Sequence, residues 1–194
     1  MRNLFRQTML TAAAVVALAG TMAVAPADAA QRMHTVMVGG AAMYPNRNIV
    51  QNAVNSRDHT TLVAAVQAAG LVDTLSGPGP FTVFAPTNAA FAALPAGTVE
   101  TLLRPENRAQ LTAVLTYHVV AGRHTAADLM RMIRAGHGTA RLTTVNGGTL
   151  TARMHGRMIV LTDARGGTAT VTQADVMQSN GVIHVTNAVS LPGM

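Results

Sequence analysis

Apolar residues recur along this chain with two periods, and the change from one to the other divides it. From Asn48 to Asn55, Ile49, Val50, Ala53 and Val54 fall at helical spacing. The next amphipathic run carries Leu62, Ala65, Val66 and Ala69 on one face, with Asp58 expected to cap its start and Gly70 to end it. Ser76-Gly77-Pro78-Gly79-Pro80 is a loop. Phe81 to Phe84 then alternates as a strand, with Phe81 and Val83 on one side and Thr82 and Phe84 on the other. Pro86 cannot donate to a strand ladder, and Thr87 is a good N-cap, so the chain turns there from strand to short helix. Phe91 falls where a staple against Pro86 would place it. Further helices are predicted from Thr98 and from Pro105, the latter with Leu111, Val114 and Leu115 as its face. Thr116 to Val120 reads as a strand, and Thr125 with Asp128 as the capped start of a helix through Ile133. From Arg141 onward the period shortens to two. Short Thr/Val/Leu runs are separated by Asn146-Gly147-Gly148, His155-Gly156 and Arg165-Gly166-Gly167, which mark hairpin turns. Helices followed by strands predict an α+β domain, helix-rich in its N-terminal half and strand-rich in its C-terminal half.

The first 45 residues do not fit that pattern. Arg2 and Arg6 precede an apolar run from Met9 to Ala19 and the small-residue site Ala27-Asp28-Ala29. That is the layout of a signal peptide over 1–29, which predicts a secreted or periplasmic protein. The apolar run is too short to span a bilayer. Residues 30–45, rich in Met and Gly, are expected to be a flexible arm leading into a domain over 46–194.

Composition narrows the chemistry. The chain has no cysteine, so no disulfide supports it even in an oxidising compartment. It has no lysine, which excludes S-x-x-K hydrolases and Schiff-base enzymes. Four serines occur, none in G-x-S-x-G, and the acids are dispersed. Seven histidines form no zinc spacing, and His118 and His184 fall inside predicted strands, where a buried ring with a backbone or carboxylate partner is the expected role. Met33, His34, Met37 and Met43 offer soft ligands suited to Cu(I), but Met is also an ordinary core filler and an arm organises no site. No metal, cofactor or catalytic residue is therefore assigned. After residue 29 there are 12 arginines against 7 acids, without a run of three, and few aromatics for base stacking. That balance speaks against nucleic acid and leaves acidic polysaccharide or lipid headgroups as an alternative partner class.

Three segments in order carry a family resemblance: Phe81-Thr82-Val83-Phe84-Ala85-Pro86-Thr87-Asn88-Ala89-Ala90-Phe91, then Tyr117-His118, then Gly181-Val182-Ile183-His184-Val185-Thr186-Asn187-Ala188-Val189. Together they resemble the fasciclin family of extracellular adhesion domains, over about residues 46–192. Met43-Tyr44-Pro45 and Asn55-Ser56-Arg57-Asp58-His59-Thr60-Thr61-Leu62 look like small secreted bacterial members. The resemblance implies a wedge of two β-sheets with helices packed around it. It also implies a non-enzymatic adhesion or extracellular-matrix module that binds a surface or matrix protein or polysaccharide. Tyr117-His118 matches the family's tyrosine-histidine motif, and Ala174-Asp175-Val176 its Asp-Ile position, both implicated in integrin binding in animal members. Candidate partner-binding residues are thus Asp175, Val176, Tyr117 and His118. At that family position Asp175 projects to a partner or else caps a turn into Ser179-Asn180-Gly181, and Tyr117, read from its strand pattern, belongs to the core.

Overall fold

The computed structural model describes residues 35–193. The expected signal segment over 1–29, and Met33 and His34, lie outside the described residues.

A hairpin, β1 (Val36–Val38) and β2 (Ala41–Met43), comes first. The sequence predicts a flexible arm here, yet Val38 and Met43 are buried in the core. The pairing places Met43 opposite Val36 while Met37 stands exposed, so these two thioethers do not converge. Two short strands without clear alternation acquire their structure from what they cover.

Helices α1 (Ile49–Ala53), α2 (Thr60–Ala69) and α3 (Val72–Ser76) follow. Asn48 and Gln51 close a capping box on α1. Asp58 does not cap α2, contrary to expectation, because it lies in a 3-10 turn, Arg57–His59. Instead the Thr61 N–H donates to Asn88 Oδ1 (3.0 Å), whose Nδ2 donates to the Arg57 carbonyl (2.8 Å). Gly70 ends α2 in the left-handed conformation (φ 74°), as its position predicts.

Strand β3 (Phe81–Pro86) stops at Pro86 and α4 (Asn88–Ala92) starts at once, with Thr87 Oγ1 accepting from the Ala90 N–H. After α5 (Thr98–Leu102), α6 spans Arg108–Tyr117. The predicted strand at Thr116 is thereby corrected: Tyr117 is helical, His118 is the C-cap, and β4 is only Val119–Ala121. The β-branched run misleads because the His118 ring reaches the Val114 carbonyl, one of the last four that the helix leaves without an intrahelical partner. The Thr125–Asp128 capping box opens α7 (Ala126–Ala135) as expected.

Strands β5 (Thr139–Thr143), β6 (Thr149–His155), β7 (Met158–Thr162), β8 (Thr168–Gln178) and β9 (Gly181–Thr186) complete one seven-stranded sheet in the order β4-β3-β9-β8-β7-β6-β5. Only β3 and β9 run parallel. Register shifts between Val171 and Val176 bend the long β8. The sheet folds over there, and its two edges meet where Val120 bridges Thr144. Its two halves, β4-β3-β9-β8 and β8-β7-β6-β5, form the expected wedge and are continuous through β8.

Each half-sheet has an inner face, and β3 and β9 have a second buried face. Inside the bend, Phe84, Tyr117, Leu150 and Leu161 pack with Leu129 and Ile133 of α7. On the opposite face, Val83, Ile183 and Val185 pack against Leu62, Val66, Leu111 and Leu115 of the helices. The alternation predicted for β3 thus serves two cores, which is why all but Phe81 of its residues are buried.

Candidate functional site

Asp175 sits in the β8 bulge with a left-handed backbone (φ 58°), a conformation that Asp tolerates better than most residues. Its Oδ1 accepts from the Ala126 N–H (2.7 Å), the first helical residue of α7. A carboxylate there meets an otherwise unpaired N–H and the positive end of the helix dipole. Its own N–H donates to His184 Nδ1 (3.3 Å). Because Nδ1 accepts, Nε2 carries the proton and donates to the His124 carbonyl (2.8 Å). The His184 ring stacks on Phe84 with centroids 5.6 Å apart. One polar chain therefore ties β9, the β8 bulge and the entry to α7 together.

The other three candidates are buried. Val176 is 1% exposed and packs in the helix-side core. Tyr117 is fully buried, its hydroxyl donating to the Thr149 carbonyl (2.6 Å) and accepting from the Ala164 N–H (3.0 Å). His118 accepts at Nε2 from the Ser190 N–H (2.9 Å), so Nδ1 donates to the Val114 carbonyl (2.8 Å). Burial holds the pKa of both His118 and His184 below the ordinary histidine value, and carbonyl hydrogen bonds oppose this only in part. His118 and Val176 share the wall of one cavity, while Asp175 and Tyr117 serve other elements. The four residues do not assemble into one surface.

That cavity, about 50 Å³, lies between β3, β9 and the helices. Its wall is apolar apart from Ser56, His59, Gln67 and His118, and contains no acid. His59 bonds Ser56 Oγ through Nδ1 (2.8 Å), and burial lowers its pKa as well. Among the described residues no three metal-ligating groups converge. Asp128 has its pKa lowered, first by the Thr125 hydroxyl and then by the Thr125 backbone N–H. A general acid would need the opposite shift.

The model of the Fasciclin domain matches residues 57–192. The chain belongs to the Fasciclin domain family. Among its relatives, protein sll1483 of Synechocystis sp. is 44% identical over 193 residues, covering 96% of this chain and 100% of that protein. Immunogenic protein MPB70 of Mycobacterium bovis is 37% identical over 145 residues, 72% of this chain and 66% of that protein. A solved pair of FAS1 domains from the insect cell adhesion molecule fasciclin I shares the fold (TM-score 0.68, 15% identity), covering 80% of this chain and 57% of that one. Within this Fasciclin domain, the first and last of the three segments are framework: β3 and β9 pair in parallel, Phe84 beside His184.

One residue of comparable weight escapes sequence reasoning. Asn180, which reads only as part of a turn, accepts at Oδ1 from the Ile49 N–H (3.0 Å) and donates through Nδ2 to the Leu75 and Gly77 carbonyls (2.8 and 3.0 Å). It joins the β8–β9 turn to α1 and α3. An Asn between Ser and Gly is too common a turn signal to reveal a partner 131 positions away.

Proposed function

We propose that this Fasciclin domain is a non-enzymatic adhesion or matrix-interaction module acting outside the cytoplasm, binding a surface or matrix partner through exposed residues. The observation that carries the reading is the fold it shares with the insect cell adhesion molecule. Two features of the chain support it. The cavity between β3, β9 and the helices is mostly apolar and has no acid in its wall. Asp128, Asp163 and Asp175 accept from backbone N–H groups and so serve helix starts and a loop. The Asp175 region remains a candidate contact only at its half-exposed rim.

The test compares a deletion strain, complemented with the full chain, for surface attachment and for capture of envelope partners by crosslinking. Complementation should restore attachment. If deletion leaves attachment unchanged and crosslinking captures nothing above background, the reading fails.

A further inference from the structure

The arginines, dispersed in sequence, are segregated in charge. Between residues 129 and 162 there are five arginines and no acid, whereas the rest of residues 35–193 carry six arginines against seven acids. The excess positive charge therefore belongs to the end of α7 and to β5–β7.

The inner residues of these strands face the core, leaving the outer face of the half-sheet to solvent. Cross-strand register aligns Arg141, Thr151, Thr162 and Thr168 in one row, and Thr139 with Arg153 in the next. Strands about 4.8 Å apart give the first row three evenly spaced hydroxyls, while the second has Thr139 and Thr170 at its ends with Arg153 and Val160 between them. Arg141 and Arg153 are exposed diagonal neighbours, about 7–8 Å apart in Cα position. The ion pairs among the described residues, Arg104–Glu106 and Arg131–Asp128, involve neither of them. Threonine's preference for strands explains the hydroxyls. It does not explain two arginines sharing a face with no acid, since opposite charges would suit the sheet better.

We propose that the outer face of β5–β8 is a docking surface for an anionic, carboxylate- or sulfate-bearing polysaccharide, with Arg141 and Arg153 meeting its charges and the threonine rows its hydroxyls. The proposal rests on the reading of the chain as an extracellular interaction module, and it names the partner class. Chemistry disfavours other polyanions. The face has no Phe, Tyr or Trp for base stacking, and His155 at its edge is its one aromatic ring among the described residues. Its apolar side chains are the covered Val160 and the exposed Met158, too few to enter a bilayer.

The test uses the full chain with heparin and alginate as anionic probes, and dextran, single-stranded DNA and anionic lipid vesicles as comparisons. Binding to an anionic polysaccharide should weaken steeply between about 50 and 200 mM salt, and R141Q/R153Q should lose about tenfold or more. R57Q/R104Q, which alters charge elsewhere, should bind as wild type. Thermal melting checks that all variants are folded. Equal losses from both pairs, tighter binding to DNA or vesicles, or no polysaccharide binding at low salt overturns the proposal. The two readings separate in the attachment assay. If R141Q/R153Q binds polysaccharide and restores attachment like wild type, the face is refuted and the adhesion reading stands. If wild type binds polysaccharide but deletion causes no attachment defect and crosslinking captures nothing above background, the adhesion reading falls and the face stands.

Discussion

Substituting Asp175 separates a helix cap from a partner contact, because the structure demands an ordered series of stabilities. Asp175→Ala removes the acceptor for the Ala126 N–H and forces a Cβ-bearing residue without a compensating polar group to remain at φ 58°. Loss of the cap costs about 1–2 kcal/mol and the left-handed backbone about 1 kcal/mol, or roughly 2–3 kcal/mol together. For a domain of this size that lowers Tm by roughly 4–12 °C. Asp175→Gly loses the cap but tolerates the backbone, so it should cost about 1–2 kcal/mol. Asp175→Asn keeps an acceptor and tolerates the left-handed region, losing only charge at the helix start, about 0.5 kcal/mol. Thermal and urea unfolding followed by circular dichroism should therefore rank Asn above Gly above Ala. A carboxylate used only by a partner leaves the melting curves superimposed and abolishes binding in Asp175→Asn. An Ala variant melting within about 2 °C of wild type would refute the capping argument, and a Gly variant less stable than Ala would refute the left-handed-backbone argument.

Three other outcomes follow from the same geometry. Burial depresses the folded-state pKa of His59, His118 and His184, so below about pH 6.5 the unfolded chain binds protons that the folded chain refuses. Stability is then complete above that pH and declines as pH falls toward the folded values; a level urea midpoint from about pH 7.5 to 5.5 counts against it. Tyr117→Phe strips the Thr149 carbonyl and Ala164 N–H of their shared partner and should cost about 1–3 kcal/mol in urea unfolding. A cost near zero would mean that water reaches both groups. Val176→Ile adds a methylene beside the cavity and should be neutral or stabilising by up to about 1 kcal/mol. A loss beyond about 2 kcal/mol would show that the new methylene meets the wall instead of the void.

The site was less legible than the fold, and particular residues show why. Tyr117-His118 stands out in the sequence, but its β-branched neighbours conceal that it ends a helix, where the His118 ring bonds Val114 and Ser190. Asp58 looks like the cap of α2, yet Asn88 on the far side of β3 does that work. The hairpin at Val36–Met43 carries no pattern of its own, because burial of Val38 and Met43 depends on the core beneath them.

What the sequence determined by itself was local. The stop at Pro86, the Thr87 cap, the Thr125–Asp128 box and the left-handed Gly70 involve residues within about four positions, where chain geometry alone brings the groups together. Tertiary structure decided which polar groups are consumed and which stay free. Asp175 meets α7 across 49 positions and Asn180 meets α1 across 131, so neither pairing has a short-range signature. Arg141 and Arg153 become neighbours only because β5 and β6 pair in that register. Local spacing selects elements, whereas the function of a side chain depends on what the folded chain leaves uncovered beside it.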